Sequence, residues 1–186
     1  SVLQPATIIT PPDSKNVKPG GDITLSVDAI GTGPLSYVWY FNGTVIPGTS
    51  ARTLLIKNAQ LNNTGVYSVK VTDSIGSATS PGATVLVLVR PSFVLQPQSM
   101  VAVVGDTVQF ETRVAGLPPF GYQWRRSSTS ISRATNRIFR ITNVQLSNAA
   151  TYTVAVTNPA TAGGAATNSV AAVLVVMNDA DQDGMG

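Results

Sequence analysis

Residues 61–69 read LNNTGVYSV, and residues 146–154 repeat almost the same string as LSNAATYTV. The second copy lies 85 positions after the first. The same offset relates many other positions, from Pro12 and Pro97 to Thr72 and Thr157. A repeat of this period in a chain of 186 residues predicts two domains of related sequence, each large enough to bury its own core.

A tryptophan precedes the tyrosine of each copy by 28 residues, Trp39 before Tyr67 and Trp124 before Tyr152. Apolar and polar residues alternate near these positions, for example along Ile23–Ala29, and this alternation is typical of strands with one buried face. The pattern predicts an all-β chain made of two tandem antiparallel β-sandwiches. The two tryptophans and the two tyrosines are predicted to lie in the cores.

Other residues predict where strands turn. Asn42-Gly43 follows the strand that carries Trp39, and both residues tolerate the positive φ of a type I′ hairpin turn. Pro11-Pro12 predict an early edge strand, where a missing backbone N–H interrupts no ladder. The second copy keeps the 85-residue register up to Asn158, after which its last hairpin is longer.

The predicted domain boundaries are residues 8–90 and 91–177. Residues 1–7 are predicted to be a linker or the end of a preceding module, and residues 178–186 form an acidic tail. The join around Leu88–Ser92 is short and contains Pro91, which stiffens it. We therefore expect a limited hinge and an elongated, end-to-end pair.

The composition argues against an enzyme. The chain contains no cysteine and no histidine, which excludes thiolate catalysis and cysteine metal sites and removes the commonest general base. The acids before the tail are scattered over turns and outward strand positions. We therefore predict no catalytic residues and no certain cofactor.

Charge and hydropathy limit the partners further. The net charge is +3, and no groove of aromatic and basic residues is evident, so we predict no nucleic-acid partner. The longest apolar runs, Val85–Val89 and Val170–Met177, are far shorter than the ~20 residues that span a bilayer, so we predict no membrane insertion.

Both copies resemble bacterial immunoglobulin-like domains of the I-set kind, which occur in tandem arrays on secreted and surface proteins. The resemblance rests on the tryptophan, the tyrosine and the repeat, and it covers residues 8–176. In many relatives the string around the tyrosine reads Asp-x-Gly-x-Tyr-x-Cys, whereas Asn63 and Val69 replace its Asp and Cys here. The resemblance implies an extracellular or cell-surface location.

The positions of the missing disulfide also follow from the resemblance. By register, Val27 lies opposite Val69 in the first domain, and Thr112 lies opposite Val154 in the second. Thr112 needs a hydrogen-bond partner if it is buried. We therefore expect the second core to be the less stable one.

The C-terminal tail contains a candidate calcium half-site. Asp179, Asp181 and Asp183 alternate with other residues and are followed by Gly184, as in the first half of a calcium-binding loop. The stretch also resembles the start of the calcium repeats of dockerins and thrombospondin-type modules. The alternative is a disordered acidic tail.

Five arginines cluster in the sequence of the second copy and form a candidate ligand patch: Arg125, Arg126, Arg133, Arg137 and Arg140. Such a patch suits an acidic polysaccharide or another anionic polymer. The alternative is a solvated sheet face whose arginine stems cover apolar surface.

Three functions remain open. The first is a non-catalytic spacer in a larger secreted or cell-surface bacterial protein, which displays neighbouring modules. The second is an adhesion module that binds polysaccharide or protein. The third is a self-assembling filament subunit, in which strand addition would leave one sandwich a strand short within its own chain.

Overall fold

The computed structural model describes residues 3–178, and the chain divides between Val89 and Arg90 into two compact units, domain 1 and domain 2. The strands of domain 1 are β1 (Thr7–Thr10), β2 (Lys15–Val17), β3 (Ile23–Ser26), β4 (Asp28–Ile30), β5 (Ser36–Phe41), β6 (Thr44–Val45), β7 (Thr53–Ile56), β8 (Gly65–Thr72), β9 (Ser77–Thr79) and β10 (Ala83–Val87). Those of domain 2 are β11 (Ser92–Leu95), β12 (Met100–Val103), β13 (Val108–Glu111), β14 (Arg113–Ala115), β15 (Gly121–Arg126), β16 (Thr129–Ser130), β17 (Ile138–Ile141), β18 (Ala150–Thr157), β19 (Thr167–Asn168) and β20 (Ala172–Met177).

Each domain is a two-layer sandwich, as predicted. One layer of domain 1 follows the order β2-β10-β8-β5-β6, with β9 also paired to β8, and the pairs β1–β4 and β3–β7 supply the other. Domain 2 repeats this topology as β12-β20-β18-β15-β16 with β19, beside the pairs β11–β14 and β13–β17. The pairings are antiparallel except for β2–β10 and β12–β20, which are parallel. The all-β prediction is confirmed.

Both sandwiches have a last strand of their own. In domain 1, β10 pairs with β8 of the same domain, and in domain 2, β20 pairs with β18. Strand addition between copies predicts a sandwich that lacks one strand within its own chain. The observed pairing therefore favours the spacer and adhesion hypotheses over strand addition.

The core of domain 1 follows from the period-two pattern of its strands. On β8, Tyr67, Val69 and Val71 are at most 2% exposed, while the residues between them are half-buried. Trp39 and Leu25 from the neighbouring strands are fully buried against the same cluster. Full burial of each such apolar side chain contributes about 1.5–3 kcal/mol, and the alternation therefore fixes the register of the sheet.

The core of domain 2 is more aromatic. Phe110 replaces Leu25 of domain 1, and its ring centroid lies 4.8 Å from that of Tyr152 and 6.0 Å from that of Trp124. Phe139 lies 5.9 Å from both of those rings. Aromatic pairs at these separations add stabilisation beyond the area that they bury.

The four positions where the resemblance to immunoglobulin-like domains implies cysteines are all buried. Val27, Val69 and Val154 are at most 1% exposed and pack in the two cores. Thr112 is 0% exposed, and its Oγ1 donates a hydrogen bond to the carbonyl oxygen of Leu95 at 2.9 Å. The hydroxyl therefore has the partner that its burial requires. The lower stability of the second core remains a prediction.

Two local predictions need correction. Ile23–Ala29 is not one strand, because the chain changes partners at Val27: β3 pairs with β7, and β4 pairs with β1. Pro11 and Pro12 lie between β1 and β2 rather than within a strand, since proline has no N–H with which to continue the pairing.

Candidate functional site

The two tryptophans use their polar atoms inside the sandwich. Trp39 Nε1 donates to the carbonyl oxygen of Ala51 at 3.0 Å, and Trp124 Nε1 donates to that of Asn136 at 2.8 Å. Both rings are 0% exposed. These side chains therefore organise the core and present no surface to a ligand.

The two tyrosines hold the turn before their own strand. Tyr67 donates its hydroxyl hydrogen to Asn63 O at 2.9 Å, and Tyr152 donates to Asn148 O at the same distance. Burial raises the pKa of both phenols, although the nearby Arg126 guanidinium acts in the opposite direction on Tyr152. Each phenol therefore stays protonated at neutral pH and remains a donor.

A loop lock in domain 1 was not anticipated from the sequence. One carboxylate oxygen of Asp73 accepts from Thr32 N at 2.7 Å, and the other accepts from the N–H groups of Ile75 and Gly76, both at 2.8 Å. Burial tends to raise the pKa of Asp73, but the backbone hydrogen bonds together lower it. The carboxylate thus ties two loops that are 41 residues apart.

Domain 2 forms the same lock, but here the side chain donates to the distant loop instead of accepting from it. Asn158 takes the place of Asp73, and its Nδ2 donates to Leu117 O at 2.8 Å. Its Oδ1 accepts from Ala160 N at 3.1 Å, where a short 3₁₀ turn begins. An Asp followed three residues later by Gly is a turn signal that could have located the lock in the first copy.

The five predicted patch arginines are divided between the two sheets of domain 2. Arg125 and Arg126 lie on β15 of one sheet. Arg140 lies on β17 of the other sheet, and Arg137 lies just before that strand. Arg133 lies in the turn after β16 and has a φ of 59°. On β15 the inward face is set by the buried Trp124, so Arg126 faces inward and Arg125 outward.

Two of the domain 2 arginines share one acid. Glu111 Oε1 lies 2.7 Å from Arg137 Nη1 and 3.3 Å from Arg113 Nε. Hydrogen bonds from Arg137 and then Arg113 lower the pKa of Glu111. Arg140 donates instead to Gln109 Oε1 at 2.8 Å. These contacts commit Arg137 and Arg140 to neighbours on the sheet that contains β13 and β17.

Arg126 lies beside a groove that opens at one end of domain 2. The groove has a volume of about 360 Å³, and its lining includes Phe139, Tyr152 and Ile131. The Nη2 of Arg126 donates a hydrogen bond to the carbonyl oxygen of Ser147. A second depression of about 530 Å³ shares Arg126 and Ile131 with the first. The first groove is also lined by Arg140, Thr142 and Asn148, so the site combines the half-buried Arg126 and the exposed Arg140 with walls that are partly apolar and partly polar.

The predicted calcium ligands, Asp179, Asp181 and Asp183, lie outside the described residues. Among residues 3–178, no group of three His, Cys, Asp or Glu side chains is placed to hold a metal ion. The same part of the chain contains no helix with the length and apolar character needed to cross a membrane.

Comparison with known proteins identifies the family. Residues 5–73 and 90–158 each match the family described as immunoglobulin domain, and the two matches are 85 residues apart. Among solved structures, the N-terminal four immunoglobulin domains of Dscam1 isoform 8.4 superpose with a TM-score of 0.76 at 19% identity, over 95% of this chain and 48% of that one. At this identity the superposition supports the fold alone.

Two curated relatives give a wider context. The human cell adhesion molecule DSCAML1 is 28% identical over 170 residues, which cover 82% of this chain and 8% of that protein. The decoration protein of Escherichia phage T5 is 44% identical over 62 residues, which cover 33% of this chain and 38% of that protein. The chain thus spans a minor part of each relative. It belongs to the immunoglobulin domain family and contains two such domains in tandem.

Proposed function

We propose that the chain is a non-catalytic spacer segment of a secreted or cell-surface bacterial protein, in which the modules at residues 8–90 and 91–177 display their neighbours. The observation that carries this proposal is the parallel pairing of an early strand with the last strand in each domain. β2 pairs with β10 through three residues, and β12 pairs with β20 through four.

This pairing gives each domain a way to resist tension. Force applied at the two ends of a domain pulls parallel terminal strands in opposite directions along their own axes. The hydrogen bonds between them are then loaded together rather than one after another. A domain with this geometry transmits force to its neighbours without unfolding, as a spacer requires.

Single-molecule stretching of the tandem chain tests the proposal. We expect two separate unfolding events, each releasing somewhat less than roughly 300 Å of chain for a repeat of 85 residues. Ala102→Pro should lower the unfolding force of domain 2, because proline removes an N–H that points from β12 toward β20, where Ala102 pairs with Val176. Domain 1 is the internal control, and an unchanged domain 2 force would contradict the proposal.

Adhesion is the second candidate function. It is favoured by the similarity over 82% of the chain to a relative whose name is cell adhesion molecule. In this role the tandem binds a polysaccharide or a protein, or it associates with further copies as a filament subunit. Sedimentation at increasing concentration separates these cases, since self-association raises the apparent mass without any added ligand.

We also propose that Asp179, Asp181 and Asp183 begin a calcium module in a longer parent protein. Alternating carboxylates followed by a glycine suit a hard cation, and affinity rises with the number of ligands. We expect calorimetric titration to show tight calcium binding only when further residues follow Gly186. Equal affinity of the 186-residue chain would argue against a separate module.

A further inference from the structure

One end of domain 2 differs from the same end of domain 1 along a single hairpin. Phe41-Asn42-Gly43 of domain 1 corresponds to Arg126-Ser127-Ser128 of domain 2. The correspondence holds in three dimensions, because Phe41 pairs with Tyr67 and Arg126 pairs with Tyr152. The two hairpins can therefore be compared residue by residue.

The first difference changes how the sandwich ends. In domain 1 the Phe41 ring lies against Tyr67 with a centroid separation of 4.8 Å and packs on the core. In domain 2 the inward position holds Arg126, and the groove of about 360 Å³ opens beside it. An apolar plug in one domain is thus replaced by a cation at the rim of an open groove in the other.

The second difference is an unbalanced charge. Arg126 forms no ion pair within the described part of the chain, and its hydrogen bond to Ser147 leaves further N–H groups of the guanidinium available. Residues 90–178 carry seven arginines and two acids. Glu111 is already shared by two arginines, and Asp106 accepts a hydrogen bond from Val103 N. An anion that enters the groove therefore meets a positive field.

The third difference is a strained, hydroxyl-rich turn. Ser127 and Ser128 have φ values of 42° and 74°, where Asn42 and Gly43 have 48° and 81°. Serine is less suited than asparagine and glycine to this region, and such strain is concentrated at functional sites. The strained turn lies beside the second depression, whose lining includes Ser127, Thr129 and Ser130.

We propose that this end of domain 2 binds an anionic saccharide unit, with its carboxylate or sulfate on the Arg126 guanidinium. A guanidinium presents a planar fork of N–H donors that matches the oxygens of either group. The serine and threonine hydroxyls donate to and accept from sugar hydroxyls, and Ile131 contacts the C–H face of the ring. The inference goes beyond the spacer role and does not depend on it.

The lining favours a saccharide over an acidic peptide. Apart from Arg126 and Ile131, the residues that line the second depression all carry a hydroxyl, and it adjoins the first groove through these two shared residues. A ligand that fills both depressions meets Arg126 and Arg140 together with several hydroxyls, so it needs anionic groups and hydroxyls close together. Sugar units carry this combination on a single ring, whereas an acidic peptide carries mainly carboxylates.

The test is a backbone-amide NMR titration of the whole chain with a sulfated, uronate-containing disaccharide. A neutral disaccharide of the same linkage is titrated in parallel. We expect saturable shifts at the amides of residues 127–131 with the anionic sugar and none with the neutral one. Arg126→Phe restores the residue of domain 1, should fold with the groove closed, and should weaken binding roughly tenfold or more.

Arg125→Gln is the matched control, because it also removes one positive charge from β15, but on the outward face. It should keep the wild-type affinity within about twofold. Arg126→Gln repeats the test if the phenylalanine disturbs the fold. The proposal is overturned if the Arg125 and Arg126 variants lose affinity equally, or if the neutral disaccharide binds as tightly as the anionic one. It is also overturned if the amides of residues 127–131 do not shift, or if an acidic peptide binds more tightly at the same amides.

Discussion

Single polar side chains hold the loops of both domains in place. Asp73 in domain 1 and Asn158 in domain 2 occupy equivalent positions, and each connects two loops that are far apart in sequence. The carboxylate accepts from backbone N–H groups, whereas the amide donates to a backbone carbonyl and also accepts from an N–H. The same task is therefore solved with two different donor patterns.

The lowered pKa of Asp73 predicts how domain 1 responds to acid. A depressed folded-state pKa contributes stability that is present above the unfolded value near 3.8 and is lost as the pH falls through the folded value. Asp73→Asn removes this contribution. We expect a lower melting temperature for the variant at neutral pH and a flatter loss of stability between about pH 5 and pH 3.

Thermal unfolding at a series of pH values measures this effect. Asp13→Asn is a suitable control, because Asp13 is an exposed carboxylate of the same domain. An acid dependence that is the same in the Asp73 variant and the wild type would show that the lock contributes nothing in this pH range.

At the scale of elements, the two hairpin turns after β5 and β15 have the same backbone conformation but are formed by different residues. Both turns have two consecutive residues with positive φ, Asn42-Gly43 and Ser127-Ser128. The first pair matches the preference of a type I′ turn, and the second does not. The second turn therefore forms at a cost that the rest of domain 2 must offset.

Ser128→Gly should stabilise domain 2 by about 1 kcal/mol, because glycine adopts a φ of 74° without a steric penalty. Urea unfolding monitored for that domain measures the change. The reciprocal variant, Gly43→Ser, should destabilise domain 1 by a similar amount. An added Cβ at Gly43 meets no atom within 4 Å, so only the backbone conformation opposes the serine. If neither variant changed the free energy of unfolding of its domain relative to the wild type, this account of the turn would be contradicted.

The sequence predicted the sandwich and its core because both follow from local alternation and from the 85-residue register. Trp39 and Tyr67 are buried, and Asn42-Gly43 has the positive φ values of a type I′ turn. The change of partners at Val27 was missed, since a continuous alternating strand gives no local sign of which neighbour it pairs with.

The groove was beyond sequence reasoning for a related reason. The arginine run was visible, and the strand period places Arg126 on the same face as the buried Trp124 and Arg125 on the other face. The volume beside Arg126 depends on Phe139 and Tyr152, which are distant in sequence. Spacing along the chain carries no information on such a gap.

For the whole molecule, the two domains should unfold in separate transitions, with domain 2 first. Domain 2 contains the strained turn, the open groove and an excess of five positive charges over residues 90–178, against an excess of one over residues 3–89. Like charges destabilise a compact state. The aromatic contacts in the core stabilise domain 2, but we expect them to offset only part of its lower stability.

Tryptophan fluorescence can follow each domain separately, since Trp39 and Trp124 are the only tryptophans and lie in different domains. The Trp124→Phe variant reports domain 1 alone, and the Trp39→Phe variant reports domain 2 alone. We expect a lower urea midpoint for domain 2. Coincident midpoints, or a lower one for domain 1, would contradict the prediction.

The reversed loop lock also limits how the two repeats can recombine. A crossover that joins the Thr32 loop to Asn158 leaves an amide oxygen able to accept from Thr32 N. The opposite crossover joins Leu117 to Asp73 and sets a carboxylate against a carbonyl oxygen that needs a donor. Duplication and exchange of these repeats should therefore be tolerated in one direction and selected against in the other.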